Sequence, residues 1–84
     1  MNSKQQKTLV SIFTDPVKAN IPWVDIESLL ISLGAEMKEG SGSRVGFSLH
    51  EVDIVVHRPH PQKETDKGAV KSIRKFLNNA GVLP

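Results

Sequence analysis

The sequence predicts an α+β fold, with helices packed on one face of a three-stranded antiparallel sheet in the order α-α-β-β-β-α. Two observations carry this. Apolar residues recur at helical spacing on either side of the chain's centre: Ile26, Leu29, Leu30 and Leu33, then Val70, Ile73, Leu77 and Ala80. Between these stripes, residues 43–49 and 52–58 alternate apolar and polar side chains, as half-buried strands do. A third constraint is length. The chain has 84 residues, enough for one domain with one core and for burial of only about 60–65% of the surface the unfolded chain exposes.

The elements follow in order. Residues 3–13 read as a short helix, with Ser3 and Gln6 spaced as a capping box and Leu9, Ile12 and Phe13 as its apolar edge. It is expected as an extension, residues 1–21, outside a compact core of residues 22–82. Asp15-Pro16 and Asn20-Ile21-Pro22 punctuate the connection. A second helix starts near Pro22 or Trp23 and runs to Leu33, with proline suited to a first turn and Gly34 to a C-terminal cap at positive φ. Trp23 is expected as a core anchor. Residues 35–39 alternate as a short strand, and Gly40-Ser41-Gly42 turns the chain.

Burial sets the register of the next two strands, which join around His50-Glu51. Pairing Val45 with Val56, Phe47 with Ile54 and Leu49 with Val52 gathers the apolar residues on one face, and a slip of one residue would expose them all. The opposite face then sets Arg44 against His57, Gly46 against Val55 and Ser48 against Asp53. Directly opposed Cβ atoms lie about 5 Å apart, so Arg44 and His57 are expected as neighbours. No Asn-Gly pair marks the hairpin, and its turn type is left open. His50, at its tip, is expected in solvent. The last helix spans about residues 66–80, with Thr65 or Asp66 as its cap, Gly81 closing it, and Lys67, Lys71, Arg74 and Lys75 away from the buried stripe.

Composition removes several function classes. There is no cysteine, which excludes disulfides and thiolate metal sites and suits a reducing cytoplasm. No apolar run is long enough for a membrane span, and the polar start Met1-Asn2-Ser3-Lys4 has no signal-peptide character. His57-x-x-His60 lacks accompanying carboxylates, so no metal is expected. Gly40-Ser41-Gly42-Ser43 lacks the Lys-Ser/Thr ending of a phosphate-binding loop. No cofactor is expected. The net charge is +2 but unevenly spread. Residues 1–40 carry four Lys and five acids, a balance of −1, whereas residues 41–84 carry seven Lys or Arg and four acids, a balance of +3. All three histidines lie in that basic half. Clustered cations with imidazoles favour phosphate contacts.

The run His57-Arg58-Pro59-His60-Pro61-Gln62-Lys63-Glu64, followed by Lys67-Gly68-Ala69-Val70-Lys71-Ser72-Ile73, resembles the strand exit and final-helix opening of the HicA family of bacterial toxins. Gly40-Ser41-Gly42-Ser43-Arg44 resembles that family's glycine-rich entry to the second strand. The resemblance covers about residues 22–82. It implies a double-stranded RNA-binding-like α-β-β-β-α core, action on messenger RNA without a metal, and neutralisation by a HicB-like antitoxin. The sequence does not fix the oligomeric state, and a monomer is expected before the antitoxin binds. The family pattern is Gly-Ser-His, with the histidine catalytic; here Gly42-Ser43 is followed by Arg44. The expected catalytic set is therefore His57 and His60 with Arg44 on the phosphate, since histidine serves as base or acid near neutrality and arginine can hold two phosphate oxygens. The expected RNA-binding set is Arg44, Arg58, Lys63, Lys67, Lys71, Arg74 and Lys75. Two other accounts stay open: a non-catalytic RNA-binding module on the same fold, and a protein-interaction domain whose basic helix meets an acidic partner.

Overall fold

A computed structural model describes residues 1–84. Three helices, α1 (Ser3–Ile12), α2 (Trp23–Ser32) and α3 (Lys67–Asn79), pack with a sheet of β2 (Glu36–Glu39), β3 (Arg44–Leu49) and β4 (Val52–His57), in the spatial order β2-β3-β4 with both pairings antiparallel. A second, two-residue ladder joins β1 (Ile21–Pro22) to β5 (Glu64–Thr65). This is the α+β architecture expected, with α2-β2-β3-β4-α3 as its double-stranded RNA-binding-like core.

The register of β3 on β4 is the one that burial selects. Arg44 faces His57, Val45 faces Val56, Phe47 faces Ile54 and Leu49 faces Val52. The hairpin closes through His50 and Glu51 at φ 49° and 66°. Both lie in the left-handed region that a two-residue turn matched to strand twist demands. Neither is a glycine or asparagine, so this turn is not supported by its own residues. It is held from outside: His50 Nδ1 donates to the Ala80 carbonyl at 2.8 Å, pinning the tip to the end of α3. His50 is thus exposed as expected, yet one edge of its ring is engaged.

Two expectations at the N-terminus change. Asn2, not Ser3, caps α1: its side chain accepts from the Gln5 backbone N–H, and Gln5 accepts from that of Asn2. Polar residues stand three apart at both 2/5 and 3/6, so the spacing alone does not choose between the frames. The helix is also no appendage. Leu9 and Ile12 are fully enclosed in the same apolar cluster as Ile26, Leu29, Leu30, Val45, Phe47, Val70, Ile73 and Leu77. Trp23 is buried as the core anchor expected, its ring 6.2 Å from that of Phe47.

The remaining helix signals act as read. Gly34 and Gly81 follow α2 and α3 at φ 94° and 81°. Asp66 caps α3 by accepting from Ala69 N–H at 2.8 Å. The β1–β5 ladder was not expected, because two residues carry no periodicity to read. It ties the entry of α2 to the entry of α3, reinforced by Trp23 N–H donating to the Lys63 carbonyl at 2.9 Å. All helices lie on one side, and the other face of the sheet stays open. Arg44, Ser48, Asp53, Val55 and His57 are exposed there, with Glu36 and Lys38 of β2 beside them.

Candidate functional site

The open face ends at a polar corner. Arg44 opens β3 and His57 closes β4, so the antiparallel register makes them cross-strand partners. Ser43 stands just ahead of β3, and its hydroxyl lies 3.0 Å from His57 Nδ1. That contact engages Nδ1 and leaves Nε2 out of it, on a residue exposed to solvent. Beside the pair, Gly42, Ser43, Arg58, Pro59 and His60 line a cleft of about 330 Å³. Of the expected catalytic set, Arg44 and His57 are cross-strand partners, whereas His60 lines the neighbouring cleft; Ser43 is the residue common to both, touching His57 and lining the cleft. Nowhere do three or more His, Cys, Asp or Glu side chains converge as a metal-ligand group.

Two of the expected RNA-binding arginines have other work. Arg58 meets Glu39 at 2.8 Å and Glu27 at 3.5 Å. Its hydrogen bond to Glu39, with the charges of Glu39 and Glu27, raises its pKa above the usual guanidinium value against a smaller opposing effect of burial. Glu27 also accepts from Trp23 Nε1 at 2.9 Å. Arg58 thus joins β4 to β2 and α2, on the side of the sheet opposite His57. Arg74 reaches back to α1's end: Nε donates to the Ile12 carbonyl at 2.8 Å, one terminal nitrogen to the Thr14 carbonyl at 2.8 Å, and the other to Asp15 at 3.0 Å. A guanidinium filled by three oxygens is a clamp, and Arg74 leaves the cationic stripe it was expected to join.

Over residues 23–82 the chain matches the family model for the HicA toxin of bacterial toxin–antitoxin systems. The chain belongs to the HicA toxin family. Comparison with curated proteins and with solved structures finds no match. HicA proteins are the toxins of toxin–antitoxin pairs, generally ribonucleases, and their antitoxins are HicB proteins. No helix of this HicA chain is long and apolar enough to cross a membrane.

The HicA core places the remaining cations unevenly. The end of α3 is fixed near the hairpin by the His50–Ala80 bond, and Lys75 lines a groove there with Val52, Asp53 and Ile54. The start of α3 consequently lies toward the other end of β4. Lys67 and Lys71 are exposed and without acidic partners on that nearer part of the helix, and Lys75 is the most distant of the three from the Arg44–His57 corner. Lys63 borders a separate groove between Trp23 and the loop of residues 59–64. Ser43 is the site residue that sequence reasoning missed. Its signal was present: once Arg44 faces His57, residue 43 must lie one position from the imidazole.

Proposed function

We propose that this HicA-family chain is a metal-independent endoribonuclease that cleaves messenger RNA in the cytoplasm, halts translation, and is neutralised by a HicB-like antitoxin. The observation that carries the reading is the Ser43–His57 contact beside Arg44, at the edge of the cleft that holds His60. With Nδ1–H donated to Ser43, the Nε2 lone pair of His57 is free to take the proton of a ribose 2′-hydroxyl. The 2′-oxygen attacks the adjacent phosphorus, and Arg44 holds the non-bridging oxygens on which negative charge grows. His60 gives a proton to the departing 5′-oxygen. One P–O bond forms and one breaks, leaving a 2′,3′-cyclic phosphate and a 5′-hydroxyl. Arg44 stands where the family pattern has its catalytic histidine, so the base moves one strand over, to His57.

The test is RNA cleavage in the presence of a chelator, with end-group analysis of the products. The wild type is expected to leave cyclic phosphate ends. His57→Ala is expected to lose about 100-fold or more in rate, the usual scale of general acid–base catalysis, and Arg44→Ala about as much, the scale of one lost donor to the developing charge. Full activity in both variants would end this assignment. A non-catalytic RNA-binding module is the second reading, favoured by Arg44 in the histidine's place; it predicts wild-type binding without strand scission.

The open sheet face and the exposed lysines of α3 would be the surface the antitoxin covers. Electrostatic complementarity calls for an acidic patch on that partner.

A further inference from the structure

The open face of the sheet has a gap that the fold does not require. Gly46 sits within the middle strand, flanked by Lys38 on β2 and Val55 on β4. Its φ lies outside the left-handed region that favours glycine. A Cβ added there would meet only the Ile54 and Lys38 carbonyl oxygens, both at 3.7 Å, an ordinary contact. A glycine inside a strand weakens it and often marks close approach by another molecule. A β-carbon has room here, yet none is present.

The trough this leaves has a definite chemistry. Val55, 62% exposed, forms one apolar wall. Lys38 stands on the other side, and Arg44 lies two residues away, about 7 Å along the strand toward the His57 corner. Neither cation has an acidic partner, whereas Lys4, Arg58 and Arg74 are all paired. At the opposite end Glu36 and Asp53 face each other across Ser48, where phosphate would be repelled.

We propose that this trough seats one unpaired nucleoside of single-stranded RNA, next to the phosphate held by Arg44. The base lies flat on the Gly46 backbone against Val55, and Lys38 meets the following phosphate. The acidic far end limits the subsite to that single nucleoside and turns the backbone back toward Lys38. In a duplex both base faces are stacked, so the substrate class is unpaired RNA, not the duplex shape that a double-stranded RNA-binding fold suggests. The inference rests on Arg44 and His57 forming the cleavage site.

The test compares the wild type, Gly46→Val and Val55→Ser. Affinity is measured for a short 2′-O-methylated single strand and for its duplex, together with cleavage rate on unmodified RNA and thermal unfolding. The wild type is expected to prefer the single strand. Gly46→Val is expected to unfold at or above the wild-type temperature while losing about tenfold in single-strand affinity. Val55→Ser, a change at an exposed position, is expected to weaken the same binding without filling the trough. Wild-type affinity and cleavage in both variants, in a protein that Arg44→Ala inactivates, would overturn the trough alone and leave this face to a protein partner. A wild type inert toward every RNA would overturn the cleavage reading with it.

Discussion

In the proposed mechanism His57 is the base, and a single hydroxyl, that of Ser43, meets its other ring nitrogen. On that proposal Ser43 acts as a positioning residue, its hydroxyl 3.0 Å from His57 Nδ1. Ser43→Ala is expected to lower kcat about tenfold with little change in KM, the signature of a displaced base as opposed to lost binding. Thr65 poses the opposite case. It is fully buried on β5, and its hydroxyl has no hydrogen-bond partner. An unpaired buried hydroxyl costs about 1–3 kcal/mol, so Thr65→Val, which removes it at nearly constant shape, is expected to stabilise the protein by about 1 kcal/mol in urea unfolding. Arg58 shows what charge alone conceals. Because its folded pKa is raised, its pairing contribution is complete below the ordinary guanidinium value and is lost only as pH rises through the still higher folded one. Arg58 itself therefore adds no slope to stability across the neutral range. In the sequence, Arg44, Arg58 and Arg74 look alike. Their acceptors, Glu39 for one and the Ile12 and Thr14 carbonyls for another, are assigned by tertiary neighbours far along the chain, so the sequence supplies the cations but not their partners.

Elements were legible where a pattern is long enough to bind them. The stripes of α2 and α3 span about two and three turns, and the alternation in β3 and β4 admits only one register that keeps Val45, Phe47 and Leu49 inside. The β1–β5 ladder and the left-handed turn at His50-Glu51 were not legible, because each is imposed by distant segments: Lys63 accepting from Trp23, and Ala80 accepting from His50. The docking of α1 depends on the same kind of long-range contact. Arg74 on α3 takes up the Ile12 and Thr14 carbonyls and Asp15 just beyond α1's last turn, joining the two helices where helix carbonyls lack internal partners. Charge-assisted hydrogen bonds of this kind are worth about 1.5–3 kcal/mol, reduced here by partial exposure. Arg74→Ala is therefore expected to destabilise the fold by about 1–3 kcal/mol in urea unfolding. The same variant is expected to leave the salt dependence of RNA binding unchanged, since this guanidinium is already committed.

Across the whole molecule, charge is sorted by which cations the fold has left free. A net charge of +2 is too small to hold RNA by itself, and the fold further spends Lys4, Arg58 and Arg74 on acidic partners. What remains is asymmetric. Arg44 and Lys38 lie on the open sheet, and Lys67 and Lys71 on the nearer part of α3, while Glu36 and Asp53 mark the hairpin end of the same face, with Lys75 of α3 bordering Asp53 there. A strand whose cleaved phosphate sits at Arg44 has free cations on the sheet and on the helix start, and carboxylates where it should not go. If Lys67 and Lys71 each neutralise one phosphate, each releases a share of the counterions condensed on the nucleic acid. For single strands that is about 0.7 in the slope of log affinity against log salt per contact. The double variant Lys67→Gln/Lys71→Gln is then expected to flatten that slope by about 1.4 while leaving cleavage of saturating RNA nearly intact, because neither lysine meets the reacting phosphate. Measuring affinity over a salt series for the wild type, the double lysine variant and Arg74→Ala separates the two kinds of cation on one helix. An unchanged slope in the lysine variant would mean that the helix stripe is solvated surface and that RNA is held by the sheet alone.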